Sequence, residues 1–164
     1  MDTFDAIRKR ISVREYSDKP IEKEKLEKIA DAGRFAPTAR GEEPWEFVVV
    51  TNREKLREIA DITDHGKFLA GAAAAIAVFC RDTKYYLEDG CAATENILVA
   101  AADLGVSSCW VAGDKKPYGL DIARALGVPE GFKLISVLSL GYSKTPPAPH
   151  KKRPLKELLH WEKF

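Results

Sequence analysis

The stretch Tyr86–Gly113, YLEDGCAATENILVAAADLGVSSCWVAG, decides how the rest of the chain is read. From Tyr86 to Leu104 apolar residues fall on nearly every side of a 3.6-residue turn, the mark of a helix surrounded by protein. Gly105 closes that helix as a C-cap. In a chain of 164 residues, full enclosure of such a helix calls for a partner subunit as well as the home core. VSSCWVAG (Val106–Gly113) then reads as a strand, so a buried helix feeds directly into a buried sheet.

Working outward, WEFVVV (Trp45–Val50) is a strand whose unbroken apolar run places it centrally in the sheet. AAAIAVFC, residues 73–80, ends in β-branched and aromatic residues and reads as a second buried strand, although its alanines leave a helix open. FKLISVLSLGY (Phe132–Tyr142) supplies the fourth strand. Helical spacing marks residues 3–10, 22–35, 53–61 and 119–126, with Glu22 and Glu24 in a first turn, where the helix dipole favours them. APTARGEEP (Ala36–Pro44) has the composition of a loop, and the segment after Tyr142 is proline-broken, then weakly helical. Helices interleaved with about four buried strands give a single α+β domain over residues 1–164, a sheet flanked by helices.

Bulk properties exclude several functions. With 26 basic and 25 acidic residues the formal charge is +1, against a nucleic-acid or membrane-surface binder. The N-terminal MDTFDAIRKR lacks the apolar core of a signal peptide. The longest apolar run, Phe68–Cys80, falls short of the ~20 residues of a membrane helix. Cys80, Cys91 and Cys109 form no C-x-x-C and read as buried thiols of a cytoplasmic protein. His65, His150 and His160 sit in expected loops or the tail, as solvated or structural residues.

Near the N-terminus, KRISVREYS (Lys9–Ser17) alternates Arg10, Ser12 and Arg14 with Ile11 and Val13. In an extended chain residues two apart share a face, so two guanidiniums and a hydroxyl line one side. This is either an anion seat, since the Arg fork suits phosphate oxygens, or an amphipathic edge facing water. Lys151, Lys152 and Arg153, bracketed by Pro149 and Pro154, form the other compact basic group. The two groups either converge on one phosphate or remain separately solvated.

These motifs together resemble the FMN-dependent nitroreductase superfamily. Its members carry R-x-S-x-R after a short first helix, as here at Arg10–Arg14. APTARGEEPWEF (Ala36–Phe47) is similar to the family's A-P-S-x-x-N-x-Q-P-W loop. ENILVAAADLGVSSCWVAG (Glu95–Gly113) resembles its central helix and flavin-side strand, and LGYSKTPPAPHKKRP (Leu140–Pro154) its closing strand and basic tail. The resemblance implies a central, mostly antiparallel sheet flanked by helices, with the long helix at a homodimer interface larger than the standard ~1,600 Å².

It further implies that Arg10, Ser12 and Arg14 hold the FMN phosphate and ribityl chain, with Lys151 and Arg153 closing from the tail. Val111, Ala112 and Gly113 would face the reactive ring edge, glycine permitting close main-chain approach. The chain departs from the pattern at Gly41 and Glu43, where Asn and Gln are usual. Arg40 and Gly41 would then supply the ring contact, while the Glu43 carboxylate would disfavour an anionic reduced ring. The implied activity is transfer of hydride from NADH or NADPH, through FMN, to a flat acceptor such as a nitroaromatic, a quinone or another flavin. A flavin carrier without turnover and a flavin-destroying or dehalogenating relative are the alternatives. Brief segments at 62–68 and 81–87 imply a reduced lid.

Overall fold

A computed structural model describes residues 2–164. Five helices and four strands alternate: α1 (Thr3–Lys9), α2 (Lys23–Gly33), β1 (Trp45–Val50), α3 (Arg53–Ile62), β2 (Ala74–Arg81), α4 (Tyr86–Asp103), β3 (Ser107–Ala112), α5 (Gly119–Ala125) and β4 (Phe132–Gly141). Local chemistry sets several ends. The Asp2 carboxylate accepts the Phe4 N–H and Asn52 accepts that of Lys55, capping α1 and α3. Gly105, at φ 71°, takes the left-handed position that ends α4.

The strands form one antiparallel sheet in the order β1-β2-β4-β3. The expected central position of WEFVVV is therefore wrong: β1 is an edge strand, with Glu46 and Val49 exposed. The apolar run misleads because β1 still has a covered face, and valine suits a half-buried pleat as well as a buried one. The alanine-rich segment resolves as strand β2 after a short 3₁₀ turn at Lys67–Gly71. Residues 74–80 are all buried, between helical layers on both sides of the sheet.

Alternate residues of β2 serve the two layers: Ile76, Val78 and Cys80 join the core under α2 and α4, while Ala75, Ala77 and Phe79 join that under α3 and α5. A bulge in β4 keeps the layers in phase. Val78 faces Ser136 but Phe79 faces Leu134, which leaves Ile135 as the extra residue. Ser136 and Ile135 consequently both point to α4, where the Ser136 hydroxyl meets that of Thr94 at 2.9 Å and Ile135 lies against Gly90. Leu134 returns to the opposite core.

Helix α4 buries the stripe Ala93, Thr94, Ile97, Leu98 and Ala101. Its other face is only half-buried at Ala92, Asn96, Val99 and Ala100. With Ile7 of α1 and Phe35 it bounds an open groove of about 690 Å³. The single chain therefore leaves uncovered the face for which the sequence calls for a partner.

Candidate functional site

After α1 the chain runs beside β3 instead of forming a strand of its own. Ser12 faces Ser108 in an isolated parallel bridge, and the Val13 N–H donates to the Ser108 carbonyl at 2.9 Å. Tyr16 then bridges to Ser143, with the Ser17 N–H on the Tyr142 carbonyl at 2.8 Å. Val13 and Tyr16 turn inward while Arg14 and Glu15 are exposed. The alternation read from the sequence thus survives at Val13 and Arg14, but Ile11 is only half-buried, like Ser12.

The Arg14 guanidinium lies over the Phe68 ring, 5.8 Å from its centre. Both line a cavity of about 160 Å³ whose other wall is Trp110, Val111 and Ala112 of β3. No carboxylate among the described residues pairs with Arg14, whereas Arg10 reaches Glu95 of α4 at 3.7 Å. Arg10 lines a neighbouring cavity of about 160 Å³ with Ser107, Ser108 and Pro147. Between them lies the buried Cys109 thiol, pushed up from its ordinary pKa by burial and drawn back by Arg14, a Ser12 hydrogen bond and Arg10. The three polar residues of KRISVREYS thus surround one point of β3.

Residues not singled out as ligand contacts complete the first cavity: His65, Lys116 and Tyr118. The Thr63 hydroxyl donates to the Ala60 carbonyl and accepts the Gly66 N–H, folding the loop after α3. A Cβ on Gly66 would lie 2.6 Å from that hydroxyl and 3.0 Å from Val111, so glycine lets the loop lie flat on β3 and present His65. Tyr118 donates to the Ala112 carbonyl at 2.7 Å, fixing the end of the strand. Lys116 pairs with Asp64 at 3.3 Å across the opening. No sequence spacing links positions 14, 65 and 116; only the fold brings them together.

Other expected residues lie elsewhere. Arg40 and Gly41 form an exposed 3₁₀ turn held by the Ala39 N–H on Asp89 Oδ1 (3.0 Å) and by Arg81 Nη2 on the Glu42 carbonyl (2.9 Å). Neither Arg40 nor Gly41 lines the Arg10 or the Arg14 cavity of the same chain. Arg40 at φ 62° and Glu43 at φ 43° hold left-handed conformations that non-glycine residues pay for. The buried Oδ2 of Asp89 has no hydrogen-bond partner among the described residues.

The tail does not close on Arg10 and Arg14 at the positions expected. It passes the Arg10 cavity at Pro147, and every residue from Lys144 onward is exposed, Lys151 included. Arg153 instead pairs within the tail, with the Glu157 carboxylate at 3.7 Å and its carbonyl at 3.2 Å. Its helical content is one short turn, Leu155–Glu157. Gly113 has a reason within the chain: a Cβ there would sit 2.6 Å from Leu134 Cγ. Cys91 is half-buried, unlike the other two thiols. No cluster of metal-ligating side chains occurs among the described residues, and no helix among them is long and apolar enough to cross a membrane.

Comparison with known proteins agrees with this architecture. The model of the nitroreductase family matches residues 7–86 and 65–142. A relative from Archaeoglobus fulgidus, provisionally named an NADH dehydrogenase/NAD(P)H nitroreductase, is 42% identical over 143 residues, 82% of each chain. A Parabacteroides distasonis structure with the same provisional name superimposes with a TM-score of 0.93 at 31% identity, covering 99% of this chain and 98% of that one. An FMN-dependent nitroreductase from Clostridium difficile gives 0.91 at 31%, covering 98% and 99%. Sequence and fold thus agree over nearly the whole length, and the chain belongs to the nitroreductase family of oxidoreductases.

Proposed function

We propose that the protein is an FMN-dependent oxidoreductase that uses NADH or NADPH to reduce a small flat acceptor such as a nitroaromatic, a quinone or another flavin. The observation that carries this reading is the Arg14 guanidinium, paired with no carboxylate among the described residues, on an aromatic platform beside Val111 and Ala112, in a chain of this family. The donor set fits FMN. Arg10, Ser12 and Arg14 supply two fixed cations and a hydroxyl for a phosphate and a polar chain. Phe68, Trp110 and Val111 suit a flat ring, and Ala112 lies at the same wall, with Gly113 next along the chain. Lys151 and Arg153 belong to this reading as tail cations that would swing in from beyond Pro147.

FMN, when bound, supplies the redox chemistry, so the protein needs no nucleophile of its own. The residues bind and orient. Arg14 would hold the phosphate end, Tyr118 fixes the Ala112 carbonyl at the end of β3, and Trp110 and Phe68 would shield a bound ring from water. A cavity of about 160 Å³ is smaller than the ~300–1,000 Å³ of enclosing ligand pockets. One chain therefore builds part of the site. A homodimer across the uncovered face of α4 would bring the Arg40–Gly41 loop of a second copy to the seat, in place of the usual Asn and Gln side chains.

The test is reconstitution with FMN, removal of free flavin, and anaerobic titration with NADH and then NADPH. Flavin retained at about one per chain and bleached by either nucleotide supports the reading. Retained flavin that neither nucleotide bleaches would favour a carrier, the second reading, motivated by Gly41 and Glu43. No retained flavin would overturn both.

A further inference from the structure

Resting on the flavin reading above, we propose that the hydroxyl of Tyr16 is a positioning residue for Arg14. Tyr16 is buried at 4% exposure directly beneath the Arg10–Arg14 segment. Its hydroxyl donates to the Val13 carbonyl at 2.5 Å and meets Ser139 Oγ of β4 at 2.7 Å. Each hydroxyl has one proton. With that of Tyr16 on Val13, Ser139 donates to the Tyr16 oxygen, and its 3.3 Å approach to the Cys109 carbonyl is the weaker alternative.

The result is a chain of hydrogen bonds from the core of the sheet to the peptide that carries Arg14. That peptide is held on both sides of Val13: its N–H binds Ser108 of β3 and its carbonyl is bound by Tyr16. Arg14 follows at once, with little backbone freedom left. The Tyr16 ring braces the other half of the arrangement, since Val13, Tyr16 and Ala72 pack together with Phe68, the ring over which the guanidinium lies.

The fold makes room for this residue. A Cβ on Gly141 would lie 2.5 Å from the Tyr16 ring, so the strand end is bare where the ring passes. Burial also pushes the phenol up from its ordinary pKa, so it remains a proton donor to Val13 throughout the neutral range. A phenylalanine would pack in the same space but would leave the Val13 carbonyl without this donor. The polar function of the hydroxyl is therefore separable from the packing of the ring.

The test is a double-mutant cycle on FMN affinity, measured by flavin fluorescence quenching with Y16F, R14A and the pair. If Tyr16 acts through Arg14, Y16F weakens FMN binding about tenfold in the native background and less than twofold in R14A. Equal losses in the two backgrounds would overturn the proposal, because a general structural effect is blind to Arg14. No loss in Y16F would overturn it as well. If Y16F does not fold, Ser139→Ala enters the same cycle; it removes the donor to the Tyr16 oxygen and keeps the ring, with a loss of about threefold expected only when Arg14 is present. Native protein that binds no FMN would overturn the flavin reading and this proposal together, whereas native binding with an additive cycle overturns the proposal alone.

Discussion

Arg14 and Phe68 come from opposite ends of the first half of the chain, yet the guanidinium sits 5.8 Å from the ring centre. The pair explains why the cation can stay unneutralised by any acid among the described residues. A ring face attracts it without filling its hydrogen-bond fork, which stays free for an anionic ligand. Phe68→Leu retains the apolar contact and removes the ring face. It is expected to raise the FMN dissociation constant about threefold, as a ~0.5–1 kcal/mol cation–π contact implies, with little change in folding stability. A titration in which the Phe68→Leu variant binds as tightly as the native chain would show that the platform does not orient Arg14.

Gly113 tests whether a glycine expected at the ring edge answers to a ligand or to the fold. A methyl group there would meet Leu134 at 2.6 Å, with the Leu134 carbonyl at 3.0 Å. Gly113→Ala is expected to lower stability by about 1–3 kcal/mol through overpacking. Leu134→Ala in the same chain relieves that clash, so the two changes together cost less than their sum. Urea midpoints of the four proteins measure the coupling. Strict additivity would mean that Leu134 is not what excludes a side chain.

Much of this architecture was legible beforehand, for identifiable reasons. The long helix could be read because apolar residues dominate its length, although its uncovered face carries Glu95 and Asn96 beside Val99 and Ala100, and β2 and β4 because helices bury both their faces. The position of β1 could not, because valine runs suit an edge as well as a centre. Around the candidate site, the facing of Val13 and Arg14 was legible from local alternation, which the structure keeps there but not at Ile11 and Ser12. His65, Phe68, Lys116 and Tyr118 were not, because each reaches the cavity through a loop whose path depends on tertiary packing: Gly66 flat on Val111, Tyr118 hooked to Ala112. The tail misleads for the opposite reason. Its basic residues look fixed by prolines, but exposed backbone with no packed neighbour has nothing to fix it against.

The buried thiols give the protein an alkaline limit. Burial first, then Asp89 and Cys91, push Cys80 from an ordinary 9.0 to about 12. Burial raises Cys109 as well. In the unfolded chain these thiols lose their protons near pH 9, while the native state keeps them. The native state then binds more protons, so stability is intact below pH 9 and declines as pH rises toward 12. Each such thiol contributes a slope of at most about 1.4 kcal/mol per pH unit. Denaturant midpoints at pH 7.5, 9.5 and 10.5 should fall less steeply for Cys80→Ala than for the native protein, even though the variant starts lower for loss of packing. Parallel declines would mean that the Cys80 thiol is not held protonated by the fold.

The uncovered face of α4 makes the assembly itself testable. Phe4, Ile7 and Phe35 are 66%, 51% and 66% exposed, and the last two border the groove along Val99 and Ala100. Exposed apolar residues gathered around a half-buried helix make this the face on which the proposed homodimer would form. A second copy related by two-fold symmetry would meet the same surface on itself, so one charge introduced near the axis is introduced twice. Ala100→Glu is therefore expected to convert a dimer into monomers in sedimentation velocity. On the proposed function it should also lower retained FMN, because the Arg40–Gly41 loop that a second copy would bring to the seat is lost with it. Substituting Leu158 by Glu in the exposed tail provides the control, a charge of the same sign placed away from the groove. A native protein that sediments as a monomer at every concentration would remove the dimer from the proposed function. An Ala100→Glu variant that stays dimeric but loses flavin would place the interface on another face.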